Sequence, residues 1–355
     1  MPSQRQKILT PLNSDEEVTR VFVEMSSEYS TQRQASFEAY MSELCNDPSG
    51  QGGVYLVKLL RTHSLSFENI VDLRKRFVPS FSNMEWKHAR QLWPQYKYHT
   101  SIPEFTPIEP YIPKSFATEV FRAIEEAEVD TCPLNAAADE AKVVAWMQAI
   151  LVKISNLFNG TITNDAVGAS KGRIEFIYMV LELCVIVVLG GKCGGIARNN
   201  YAQMMTELEG CAMQNVSRGL HLDILHGVLA SQSEWYFWTY DGQGFQVSEV
   251  IVPFHRNEKQ EVLNRLRITS RLLGQFLNGY CSALCAFIQR SEEVGLQQRQ
   301  EQFHPSHRKW QEASVLAEQA KVKALSAKNE EDFAVFKSLL NQSFDALPEE
   351  HQPQL

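Results

Sequence analysis

Between Lys171 and Asn215 the chain reads KGRIEFIYMVLELCVIVVLGGKCGGIARNNYAQMMTELEGCAMQN. Two runs rich in Val, Ile, Phe and Tyr suit a pleated, half-buried surface, and the second closes on Gly190-Gly191-Lys192. A glycine-rich stretch follows, and then a helical pattern that carries Gln203 and Glu207 one turn apart. Strand, strand, loop and helix in direct succession require a sheet with a helix laid against it. Glu182 interrupts the apolar run and is expected at the hairpin turn between the two strands.

The flanks are mostly helical. Residues 1–100 read as a helical amino-terminal region, with helices from about Asp15 to Met41, Val54 to Arg76 and Asn83 to Trp93. Pro103, Pro107, Pro110 and Pro113 fall in Ser101–Lys114, where proline density removes donors and predicts an extended linker. The core is expected over 115–295. Its first strong helix has Val143, Trp146, Met147, Ile150, Leu151, Ile154 and Leu157 on one face, stopped by Asn159-Gly160. Two β-prone runs around Asp241–Gly244 predict a hairpin. A long helix over Lys259–Arg290 has Val262, Leu266, Thr269, Leu273, Phe276 and Tyr280 at core spacing. Residues 296–355 read as a helical tail with a disordered end.

Composition narrows the partners. The formal net charge of −8 means that nucleic acid has to meet a local basic patch. The best such patch is Arg267 and Arg271, four residues apart on one helical face. Seven cysteines at irregular spacing fit reduced thiols, and the longest apolar run is too short to cross a bilayer comfortably. A cytoplasmic or nuclear protein without a membrane partner is expected, its oligomeric state undetermined.

Metal-assisted phosphodiester hydrolysis needs at least two oxygen ligands for a hard cation and a positive group beside the attacking water or phosphate. Strands deliver such groups accurately because alternate residues share a face. Here Arg173-Ile174-Glu175-Phe176 begins the first strand and Gly190-Gly191-Lys192 ends the second. This arrangement resembles the restriction-endonuclease-like superfamily, whose core motif is Asp followed by (Asp/Glu)-x-Lys, and within it the domains of Crinkler-type effectors. The matching pieces are Asp165–Gly168, Ile174–Phe176, Gly190–Lys192, Gly195–Ala197, Tyr201–Leu208 and the stretch from His226 to Phe237, with Glu140 on an upstream acidic helix.

The resemblance implies an α+β fold in which a small mixed sheet is flanked by helices. It also implies Glu175 and Glu207 as metal ligands, Lys192 as a catalytic lysine, Gln203 as a positioning group, and Mg²⁺ as cofactor if the site is active. One departure weighs on activity. The acid two residues before the lysine is replaced by Gly190, which has no side chain to offer a metal. Three functions follow as expectations. The first is a nuclease-like protein, catalytically weak or inactive, that binds nucleic acid or protein and acts as an intracellular effector. The second is an active Mg²⁺-dependent DNase whose missing carboxylate is supplied by Glu207. The third is a helical protein-interaction scaffold.

Other motifs carry little. GGKCGG lacks the spacing of a phosphate-binding loop, and His221/His226 and His304/His307 do not have zinc spacing. The run Trp235–Tyr240 is aromatic enough to stack on bases, but at strand period half of it turns to the core.

Overall fold

A sheet this apolar on both faces needs cover on both, and the chain supplies helices on each side of it. The computed structural model describes residues 84–130, 140–164, 176–297 and 305–352. The chain divides into two units, Met1–Lys97 and Tyr98–Leu355. Of the first, the described part is helix α1 (Trp86–Leu92), in which Trp86, Ala89 and Leu92 are buried. The two helices expected earlier in the chain lie outside the described residues, as does Glu175.

The second unit holds α2 (Lys114–Asp130), α3 (Glu140–Asn156), β1 (Ile162–Asn164), β2 (Phe176–Val180), β3 (Cys184–Lys192), α4 (Arg198–Ser217), β4 (Leu225–Ser231), β5 (Trp235–Tyr240), β6 (Phe245–Val247), α5 (Glu258–Gln297), α6 (Pro305–Ser326) and α7 (Glu330–Asp345). The fold is mixed α+β. Among the described residues, six strands lie side by side in chain order. All neighbours are antiparallel except β3 and β4, which run parallel because α4 carries the chain back between them.

Local chemistry explains the turns. Asn159 and Gly160 take φ of 47° and 78°, so α3 ends where the sequence predicts. Leu181 and Glu182 both take positive φ, 53° and 58°, the centre of a tight turn closed by Leu183 N–H on Val180 O at 3.0 Å within a three-residue connection. Glu182 is thereby at the β2–β3 turn, as expected. Asp241 Oδ1 accepts from the backbone N–H groups of Gln243 and Gly244 at 2.9 and 2.7 Å, closing the β5–β6 turn.

The faces of the sheet separate by alternation. Val187, Leu189, Val228, Ala230, Trp235 and Phe237 join the main core with α2, α3 and α5 to α7. Val188, Gly227, Leu229 and Trp238 fall on the other face, under α4. A Cβ at Gly227 would meet Met204 Sδ at 3.0 Å and Leu208 at 3.1 Å. Ile186 is the extra residue of a bulge in β3, since Tyr178 pairs with Val187 and Met179 with Val185. Pairing with β4 begins only at Val187. The outer N–H and C=O of Val185 are therefore left for the Asn215 side chain, at 2.8 and 2.7 Å, which anchors the far end of α4 to the start of β3.

Several boundaries differ from the sequence expectation. Residues expected as a linker form a packed strap: Phe105 N–H donates to Val247 O at 3.2 Å and Val247 N–H to Pro103 O at 3.0 Å, covering the β6 edge. Further on, Ser270 Oγ donates to Pro110 O and Tyr111 N–H to Ala324 O. The tail belongs to the core. Ala313, Ala317, Ala320 and Ala324 form a buried small-residue stripe on α6, and the Tyr280 and Ser343 hydroxyls lie 3.0 Å apart. After α7, Leu347 is buried and Gln352 Nε2 donates to Asp345 O and Leu347 O. Val262, expected in the core, is exposed; continuous burial of α5 starts at Ile268, where it passes beneath the sheet. Among the described residues no helix is long and apolar enough to cross a membrane.

Candidate functional site

Parallel strands direct their carboxyl ends and the loops that follow to one edge of a sheet, where α/β proteins place ligands. Here that edge is formed by Lys192, the last residue of β3, paired in register with Ser231, the last of β4. Lys192 Nζ is 3.3 Å from Oε1 of Glu140 in the first turn of α3. Two residues before the lysine stands Gly190, which shares its face by alternation.

The two loops are stitched together. Ser231 Oγ accepts from the N–H groups of Ser233 and Glu234 at 3.2 and 3.1 Å, and Glu234 Oε2 accepts from Ile196 N–H at 3.0 Å. Above them, Tyr201 of α4 packs edge-on against Tyr236 and Trp238, with centroids at 5.5 and 5.2 Å, and His99 meets its ring at 5.2 Å. Burial raises the Tyr201 phenol above its ordinary range, and its hydrogen bond to Tyr236 adds to this. The Tyr236 phenol is raised by burial as well. Both hydroxyls stay protonated at any physiological pH. Ser231, Glu234, Tyr201 and Tyr236 border this edge; the sequence holds them within matched stretches but singles out none of them, because only the parallel β3–β4 pairing brings them together.

Gln203 and Glu207 lie on α4, which runs back along β3 from Lys192 to the Asn215–Val185 anchor. Glu207 is eight residues before that anchor. It therefore lies about 12 Å up the helix axis, or roughly four strand residues. Helical side chains also lean toward the amino terminus. A Cβ at Gly227, the register partner of Val188, would meet Met204 and Leu208 of the same turn, so Glu207 stands near the level of Val188 and Gln203 one turn nearer Lys192. The Glu207 side chain is buried. Its charge adds to burial, the larger cause, in pushing the Cys211 thiol up to about 12. Gln203 Oε1 accepts from Asn200 Nδ2 at 3.5 Å.

Among the described residues, no group of three or more His, Cys, Asp or Glu side chains is disposed to hold a metal ion. No metal-dependent step therefore follows from the described carboxylates.

Arg267 and Arg271 lie elsewhere, against the strap. Arg271 Nε donates to Glu109 Oε1 at 2.7 Å and its Nη2 to Glu249 Oε1 at 2.9 Å. Arg267 Nη2 reaches the same two oxygens at 3.2 and 2.6 Å. Two guanidinium groups and two carboxylates balance, and Arg271 is only 1% exposed, with its guanidinium over the Phe237 ring. The Arg267 guanidinium, and then that of Arg271, hold the Glu249 carboxyl below its usual range. This network ties Glu109 of the strap to α5, a structural use of both arginines that the sequence did not disclose.

His226, His307 and most of the aromatic run Trp235–Tyr240 are buried. His226 is buried in β4, and burial lowers its pKa to about 4, so it is neutral. His307 is buried between Ser291 Oγ and Gln311 Nε2, each at 2.8 Å; His304 lies outside the described residues. Trp235 packs edge-on against Trp146 in the core at 5.6 Å. No protein-family model matches the chain, and no curated protein and no solved structure matches it either.

Proposed function

We propose that the chain is a nuclease-like protein with a degenerate active site, catalytically weak or inactive, which works by binding nucleic acid. The observation that carries this reading is Lys192, held at the carboxyl end of β3 beside a crossover helix, with Gly190 in the place of the acid and Glu140 on the ammonium. A lysine there suits a phosphate oxygen, and a glycine there supplies no metal ligand. Binding of labelled DNA and RNA oligonucleotides to the full chain tests it, with Lys192→Ala as the comparison. Measurable binding that weakens in the variant is expected, and its absence in the wild type rejects the reading.

One observation favours an active Mg²⁺-dependent DNase as the second reading: Glu207 is a carboxylate buried on the helix that follows Lys192, on the face laid against the sheet. Plasmid cleavage with Mg²⁺ or Mn²⁺, wild type against Lys192→Ala, decides between them. Robust cleavage lost in the variant establishes the enzyme, and equal rates remove Lys192 from any catalytic role.

A further inference from the structure

The Lys192 side chain is 17% exposed and the Glu140 side chain 40% exposed. An ammonium so far withdrawn from water requires an anion beside it, whereas a carboxylate at the rim regains hydration readily when released. The partner of Lys192 is thus replaceable, and the need for a partner is not. Glu140 is placed for exchange: it sits in the first turn of α3, whereas Lys192 is fixed by strand pairing with Ser231.

We propose that Glu140 is the built-in occupant of a phosphate site, its carboxylate covering Lys192 until a phosphate group displaces it. The exchange is purely ionic: the phosphate oxygen takes the ammonium and the Glu140 carboxylate returns to solvent. The mask sets a threshold, so a ligand has to outcompete a tethered carboxylate before it reaches the strand ends. In a chain of net charge −8 this disfavours weakly bound anions. The source of the phosphate as a nucleic-acid strand rests on the function proposed above; the masked site itself does not.

The test uses the full chain as wild type, Glu140→Gln, Lys192→Gln and the double variant. Two probes at low salt are titrated, inorganic phosphate followed by phosphorus NMR and a labelled single-stranded DNA followed by fluorescence anisotropy. Glu140→Gln is expected to bind phosphate about two- to fivefold tighter than wild type, the range of one partly exposed ion pair. That gain should vanish in the double variant. Should Lys192→Gln lose its circular-dichroism signature, Lys192→Arg keeps the charge and should retain the gain beside Glu140→Gln. Phosphate affinity that is unchanged or weaker in Glu140→Gln overturns the mask, whatever the DNA result. If DNA binds no form while phosphate still gains from Glu140→Gln, the nucleic-acid reading falls and the mask stands.

Discussion

Glu140 and Lys192 are 52 residues apart in the chain and 3.3 Å apart in the fold. One begins a helix and the other ends a strand, and between them pass β1, β2 and the β2–β3 hairpin. The ion pair therefore joins the main-core side of the molecule to the edge where the parallel strands finish. It also leaves the lysine that most suggests phosphate chemistry already engaged by a carboxylate.

The bulge in β3 makes Asn215 a structural keystone. Its side chain satisfies both backbone groups of Val185 and is buried. Removing it in Asn215→Ala leaves the buried Val185 N–H without a partner and its C=O with only the weak Cys184 thiol donor at 3.9 Å, at about 1–3 kcal/mol each. Chemical denaturation of Asn215→Ala should show a loss of about 2–6 kcal/mol. A loss under about 0.5 kcal/mol, the ordinary surface range, would show that the anchor does not matter.

Gly274 lies in the interior of α5, where alanine normally stabilises by about 1 kcal/mol. A Cβ there would stand 2.7 Å from the carbonyl oxygen of Ile108 in the strap, and a backbone atom cannot swing aside. Overpacking of this kind costs about 1–3 kcal/mol and outweighs the propensity gain. Gly274→Ala should therefore lower the melting temperature and increase proteolysis within the strap; a raised melting temperature would contradict the close approach.

Stability should fall in two acid steps with different owners. His226 has a folded pKa of about 4 against an ordinary 6.5, so the unfolded chain binds a proton first. Its contribution to stability is complete above 6.5 and declines as pH drops toward 4, by roughly 3 kcal/mol in all. Glu249 has a depressed pKa, so its pairing with Arg267 and Arg271 contributes above its ordinary 4.5 and is lost as pH falls through the folded value. Denaturation curves from pH 7 to 3 should show the first slope flattened in His226→Gln and the second in Glu249→Gln. A wild-type profile level between pH 6.5 and 4 would refute the buried neutral histidine.

A catalytically weak or inactive site predicts a melting temperature unmoved by millimolar Mg²⁺, because binding to the folded state alone would raise it. A rise that is present in the wild type and absent in Glu207→Gln would instead support the DNase reading.

Much of the local structure was legible. The apolar face of α3, its stop at Asn159-Gly160, the Glu182 turn, the Asp241–Gly244 hairpin and the helix carrying Gln203 and Glu207 all follow from period and turn chemistry, which act over a few residues. The site was legible only as far as one strand reaches: Lys192 at an end, Gly190 two before it. Ser231, Glu234, Tyr201 and Tyr236 lie in matched stretches but could not be assigned to one edge, because a parallel pairing across a helical crossover leaves no mark in either strand.

The sequence by itself determined where elements start and stop, and it determined that no acid stands two residues before Lys192. The tertiary structure decided what each charge meets. Lys192 meets Glu140, and Arg267 and Arg271 meet Glu109 and Glu249, so charges that look available in the sequence are balanced in the fold. It also decided that the proline-rich stretch is a strap and the tail helices are core. The physical reason is range. Propensity and turn chemistry act between near neighbours in the chain, whereas burial and ion pairing reward whichever groups the packed layers bring together.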